Sequence, residues 1–288
     1  MKKDITVLFC DIDDFCEQVN IDERAYGLGK QRKPTRVPGL AISEMVTIIL
    51  LYHQSPCKNF KYFYKSYLQL YIPDFPKLPS YQRFIELEHR VTPYIIRLIH
   101  VLLNKKDKVN FIDATSLPVC HNKRIYNHKV FKGIAARGKT SMGWFFGLKL
   151  HLMINRIGQI AGLSITPGNV DDRKPVRGLS KGIKGLLIGD RGYISKNLFS
   201  DLYKDGVKLI TGIKKNMKNK LMLIHEKRLL RKRSISETVF DYLKNKMNIS
   251  HTRHRSIDNA MVHIISTLVS YSLNPRKPRI SMPNLIPN

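Results

Sequence analysis

LLIGDRGYIS, residues 186–195, is an apolar run that stops at Asp190 and resumes only after Arg191, Gly192 and Tyr193. Consecutive apolar residues bounded by a turn signal read as a buried strand. An ionised carboxylate at the end of such a strand is costly unless it is paired or holds a cation. The same construction recurs at VNFIDAT (109–115), where Asp113 closes an apolar run. Each aspartate taken alone is explained by a cap or a turn. Two of them, each closing a β-type run, ask what they share.

The surroundings place these two runs in an order. WFFGLKLHLMI (144–154) and QIAGLSI (159–165) read as strands joined by a tight NRIGQ turn, a hairpin signature. A short helical stretch near 172–179, the strand 186–190, a helix near 195–204, the strand VKLITGI (207–213) and a long helical tract to Met247 follow. Strand, strand, strand, helix, strand, helix, strand, helix resembles the ribonuclease-H-like fold of polynucleotidyl transferases and nucleases. That resemblance implies an α/β domain with a mixed five-stranded sheet flanked by helices. Its first and fourth strands lie side by side, so Asp113 and Asp190 would meet across them.

The first hundred residues have another character. ISEMVTIILLYHQ (42–54) and the segment 60–71 carry apolar residues at helical spacing. The proline-rich YIPDFPKLPS then leads into one long amphipathic helix over 81–104, with Ser80 as N-cap. The expected organisation is an all-helical N-terminal domain over 1–105, a catalytic domain over 106–273 ending in a helix from Asp258 to Leu273, and a disordered basic, proline-rich tail over 274–288. The helix after Ser80 is a candidate reader of DNA in a helix-turn-helix; packing or dimerisation is the alternative use of this domain.

Charge names the partner class. The chain of 288 residues carries a formal net charge of +28, and 43% hydrophobic residues give it enough apolar mass for a full core. Disorder as a class is excluded by that apolar content, and a field of this sign attracts polyanions, nucleic acid first. The four cysteines show no C-x-x-C spacing, which argues against a zinc ribbon or a thioredoxin-type site. Without an apolar stretch of signal-peptide or membrane-span length, the expectation is a cytoplasmic, nucleoid-associated protein with no membrane partner.

Residues 106–288 hold 11 acidic side chains in a strongly cationic region. A third carboxylate beside the two aspartates has to come from the later helical tract, where Glu226 and Glu237 are the only glutamates. Glu237 has Arg233 four residues before it and Lys244 seven after it, all on one face of a continuous helix. The competing reading is a capping box, Ser234 as N-cap and Glu237 at N3. Asp171 and Asp172 are rival ligands that read better as caps, and His151, inside a strand, reads as a packed core histidine.

FIDAT, GDRGY and the Arg233, Glu237, Lys244 spacing together resemble the DDE transposases of insertion sequences. GWFFGLKLHL and TPGNVDDRKP bring the resemblance closest to the 982 family of bacterial insertion elements. Related groups place Tyr three residues before the Arg, where this chain has Leu230; that Tyr contacts DNA near the cleavage point. The resemblance implies that Asp113, Asp190 and Glu237 are the catalytic and metal-binding carboxylates. It also implies two Mg²⁺ ions, with Mn²⁺ as a substitute, phosphodiester hydrolysis at the element's ends and 3′-hydroxyl strand transfer. Double-stranded DNA is the implied partner, as terminal inverted repeats and target, with a homodimer when two ends are synapsed.

The cations supply candidate DNA contacts. From Lys214 to Arg233 there are nine Lys or Arg, and the insertion after the first strand, 122–143, has six more. Candidates are Arg137, Lys139, Lys149, Arg191, Lys214, Lys215, Arg233 and Lys244, with Tyr193 stacking on a splayed base and Gly192 letting the backbone approach the substrate. A nuclease of the same fold that does not join ends, and an inactive basic DNA-binding protein, are the alternative functions.

Overall fold

The computed structural model describes residues 5–25, 39–104, 107–141, 143–213, 217, 222–250 and 254–280. In chain order the helices are α1 (Ile5–Ala25), α2 (Ile42–Gln54), α3 (Phe60–Tyr62), α4 (Tyr81–Leu87) and α5 (Thr92–Leu102). Strands β1 (Val109–Cys120), β2 (Ala136–Thr140), β3 (Gly143–Asn155) and β4 (Ile160–Pro167) come next. Helix α6 (Val176–Leu179), β5 (Gly185–Gly189), α7 (Lys196–Lys204), β6 (Val207–Thr211), α8 (Ile224–Arg231), α9 (Ser234–Asp241) and α10 (Ile257–Leu273) complete the order. Among the described residues no helix is long and apolar enough to cross a membrane.

The chain divides into two compact units, one of Met1–Val101 with Lys246–Leu273 and one of Leu102–Asn245 with Asn274–Asn288. The division differs from the sequence expectation at α10, which belongs with the N-terminal helices. Its buried residues run from Asn259 to Tyr271 around nearly the whole circumference, so it needs neighbours on every side. Within that unit Ser270 Oγ donates to the Leu50 carbonyl at 3.2 Å and Asn259 Nδ2 to that of Ile85 at 3.0 Å. Glu88, fully buried, faces His263 Nε2 at 2.8 Å, and burial pushes its carboxyl up to about 8.

The single helix expected over 81–104 is two. Ser80 does cap α4, its hydroxyl accepting from Arg83 N–H at 3.3 Å. A 3₁₀ turn over Glu88–Val91 then separates α4 from α5, because Pro93 has no N–H to donate and its ring crowds the carbonyl four residues back.

The second unit is built on a six-stranded mixed sheet of order β2-β3-β1-β5-β6, with β4 also on β3. It has one strand more than the sequence suggests. β2 is ARGKT, with one buried residue, Gly138, and so has no apolar signature. β2 pairs with Gly143–Gly147 of β3 and β4 with Leu148–Ile154, so the two share successive lengths of the β3 edge opposite β1. Without β2, the antiparallel β4-β3-β1 and parallel β1-β5-β6 pairings are consistent with the ribonuclease-H-like order.

Two apolar layers sandwich this sheet. Ile112, Leu187 and Leu209 point to the layer completed by Val176, Leu198 and Leu202. Val109, Phe111, Ile188 and Ile210 point to the layer completed by Leu229 of α8 and Ile235 of α9. The described part of the C-terminal segment is ordered by this unit and so departs from the expected disorder. Ile280 packs on the second layer and its N–H donates to the Arg156 carbonyl at 2.8 Å, while Asn274 Nδ2 donates to Tyr242 Oη at 2.8 Å. Residues 281–288 lie outside the described residues.

Candidate active site

Strand register brings the two aspartates level. Parallel pairing sets Val109 opposite Leu186 and Phe111 opposite Ile188. Asp113 and Asp190 each follow two residues later, keeping the same offset. Because side chains alternate along a strand, both lie on the face of Phe111 and Ile188, the one covered by α8 and α9. Ile235 anchors α9 in that layer, and Glu237, two residues on and so across the helix from it, has its side chain 66% exposed.

Arg233 joins the carboxylates. Its Nη1 is 2.5 Å from Asp190 Oδ1 and its Nη2 is 3.8 Å from Glu237 Oε1. Asp190 also accepts from Arg191 N–H at 2.6 Å, capping the turn Arg191–Tyr193. Asp113 accepts from Ala114 N–H at 2.8 Å. Burial, the largest influence, pushes the Asp113 carboxyl up from 3.8 to about 6; Ala114 N–H and the Arg233 cation oppose the rise, and the charges of Asp190 and Glu237 add to it. All three sequence-singled carboxylates and one guanidinium therefore occupy one electrostatic neighbourhood.

Carboxylate oxygens are the donors hard divalent cations take, and three of them against one guanidinium leave the cluster anionic. Among the described residues no trio of His, Cys, Asp or Glu is drawn tightly enough to hold a metal ion. Arg233 pairs with both Asp190 and Glu237 at this place. The donor chemistry fits a divalent ion, and the arrangement is that of carboxylates held around an arginine.

The helix carrying Glu237 differs from the expected continuous one. The chain bends at Lys232 and Arg233, α9 begins at Ser234, and Arg233 occupies the cap position without a side-chain cap bond. The Ser234 capping box is thus not formed. After α9 a π-helical turn over Tyr242–Lys246 interrupts the regular helical spacing; Lys244 within it is half-buried, and desolvation lowers its pKa. Leu230 packs against the layer of Ile188 and Ile210, which accounts for an apolar residue there.

Several proposed DNA contacts fall elsewhere. Tyr193 is 2% exposed, its ring in the layer with Ile112 and Leu187, and is closed to base stacking. Within the protein a Cβ on Gly189 would sit 3.0 Å from the Tyr193 ring, while a Cβ on Gly192 would meet nothing. Lys149, with its side chain 14% exposed, is engaged inside the protein: Nζ donates to the Val170 carbonyl at 3.0 Å and to Asp172 Oδ1 at 2.9 Å. Asp171 accepts from Arg173 N–H at 2.9 Å, as the cap reading expects, and pairs with its guanidinium. His151 is fully buried, 2.9 Å from Thr166 Oγ1.

Arg191 is exposed beside Asp190, and Arg137 and Lys139 are exposed on β2. Lys214 and Lys215 lie outside the described residues. Arg233, singled out by its i, i+4 spacing to Glu237, sits among the carboxylates. One feature escapes the sequence reading. Trp144, in the strand read over 144–154, is 53% exposed beside Arg137 and Lys139, with ring-centroid distances of 5.1 and 5.6 Å.

The family model for the transposase DDE domain matches residues 103–257, more than half of the chain, and the stretch contains all three carboxylates. A comparison with curated proteins gives no match.

Proposed function

We propose, for a chain that belongs to the family of transposase DDE domains, that it cuts DNA at the ends of an insertion sequence and joins the freed 3′ ends to target DNA, with Asp113, Asp190 and Glu237 as the catalytic carboxylates. The observation that carries this reading is the strand register that levels Asp113 with Asp190, together with the guanidinium that links Asp190 to Glu237. GWFFGLKLHL and TPGNVDDRKP favour the 982 family within the wider group, and a cytoplasmic place of action beside the nucleoid accords with the substrate.

In this mechanism water attacks phosphorus at the element's end, the P–O3′ bond breaks, and a 3′-hydroxyl is released. That hydroxyl then attacks a target phosphodiester in the same site, and the target's P–O3′ bond breaks, leaving a 3′-hydroxyl on the target strand. Divalent cations, Mg²⁺ or Mn²⁺, held by Asp113, Asp190 and Glu237 would supply the acidification of the attacking oxygen and the stabilisation of the leaving one. Asp113, ionised above about pH 6, acts in its charged form at neutral pH. Arg191, exposed beside Asp190, and Arg233, whose guanidinium pairs with the acids, would neutralise the scissile phosphate.

The test is nicking of a duplex carrying the element's inverted repeats in Mg²⁺, followed by strand transfer of a pre-cleaved end. Asp113→Ala, Asp190→Ala and Glu237→Ala each abolish both reactions and leave duplex binding intact. Robust cleavage by any one variant removes that residue from the site. Nicking without transfer makes the protein a nuclease, and binding without nicking makes it an inactive DNA-binding protein.

A further inference from the structure

We infer that the β2–β3 hairpin is a grip for unpaired nucleotides, in which a DNA base stacks on Trp144 while Arg137 and Lys139 hold the phosphates on either side of it; this rests on DNA being the substrate. Trp144 is the only tryptophan of the chain, and it is half exposed although the neighbouring Phe145 is buried. Strand alternation explains the pair. Phe145 faces inward beside Gly138, its cross-strand partner, where a Cβ would come within 2.7 Å of the phenyl ring. Trp144 faces outward opposite Lys139, with Arg137 one cross-strand step away.

Three features suit the outward face to a nucleotide. The guanidinium and the ammonium lie within cation–π range of the indole, so the positive charge is held at the ring. The sequence between Asp113 and Asp171 contains no acidic residue, which leaves the field around the hairpin of one sign. The Trp144 carbonyl accepts from Asn122 Nδ2 at 2.7 Å, which ties the start of β3 to the turn after β1. A fixed indole beside two cations offers a π-face to a base and charge to its phosphates, and a base inside an intact duplex offers no free face. The occupant is therefore single-stranded or locally opened DNA.

Because the chain has one tryptophan, its fluorescence reports this site alone. A fluorescein-labelled single-stranded oligodeoxynucleotide, titrated with the full chain, is expected to quench Trp144 in step with the rise in anisotropy. An oligomer of abasic sugar-phosphate should bind without that quench. Trp144→Ala should weaken single-strand binding roughly 5- to 150-fold, the range for loss of one stacked base, with duplex binding and melting temperature unchanged, and Trp144→Phe should restore most of the loss.

Saturation by the single strand with unaltered Trp144 emission overturns the inference, as does quenching by the abasic oligomer to the same extent. A Trp144→Ala protein that binds the single strand like the wild type does so too. Emission that changes with protein concentration in the absence of DNA would show a second copy covering the hairpin, and would also overturn it. In each of these cases duplex binding stands, and with it the transposase reading; failure to bind any DNA strikes that reading first.

Discussion

Asp113→Asn should make the protein more stable at neutral pH while it removes activity. The wild-type carboxyl titrates near 6 in the folded chain against 3.8 ordinarily, because burial disfavours its charged form. Between those values the folded state holds a proton that the unfolded chain has lost, so stability is full below pH 3.8 and falls as pH rises through about 6. Two pKa units correspond to about 3 kcal/mol. Asparagine keeps an oxygen for the Ala114 N–H and carries no charge, so it escapes that loss. At about 2–4 °C per kcal/mol for a domain of this size, the variant should melt roughly 6–12 °C above the wild type at pH 7.5. At pH 4 the two should coincide. Circular dichroism melts in EDTA at both pH values measure this. A variant no more stable at pH 7.5, or equally stabilised at pH 4, would refute the claim that a desolvated charge sits at position 113.

Three further outcomes follow from the same geometry. Arg233→Gln removes the cation between Asp190 and Glu237, so Mn²⁺ should bind roughly two- to fivefold more tightly, the equivalent of an exposed ion pair of about 0.5–1 kcal/mol, while nicking slows; weaker binding in a Mn²⁺ titration would contradict the placement of that arginine. Glu88 titrates near 8 in its buried position, so wild-type stability should decline from about pH 4.5 towards 8; in Glu88→Gln that decline should flatten, and an unchanged pH profile of denaturant midpoints would remove the buried carboxyl as its cause. Gly147→Ala would drive a Cβ to 2.2 Å from the Leu117 carbonyl oxygen, and so should cost more than about 2 kcal/mol in urea unfolding.

What the sequence makes legible here is the sheet's interior. The apolar runs around Phe111, Leu152, Ile188 and Ile210 announce strands, and the two aspartates stand out because each ends such a run. Topology then sets β1 beside β5, as the parallel pairing of Val109–Phe111 with Leu186–Ile188 has them, two residues short of each aspartate. Illegible features depend on partners distant in the chain or on weak local signals. Nothing in ARGKT signals a strand, since β2 owes its place to the free edge of β3. Lys149 reads as a cation open to phosphate until folding brings Asp172 to it. Tyr193 follows an exposed Arg191 and Gly192, yet the turn capped by Asp190 carries its ring inward. The break before Pro93 was open to a local reading, and the allegiance of α10 was not, because an all-round apolar helix fits either unit.

The chain enters the second unit at Leu102, leaves it at Lys246, and returns at Asn274. A ribosome therefore delivers the last helix of the N-terminal unit only after the whole DDE region has emerged. Until residue 273 is free, Ile48, Ile49 and Leu50 wait for the neighbours that α10 brings. Any product shortened by a premature stop within the DDE region thus forfeits both units at once, and exposes apolar surface that invites degradation. Threading of this kind ties completion of the helical unit to full-length synthesis.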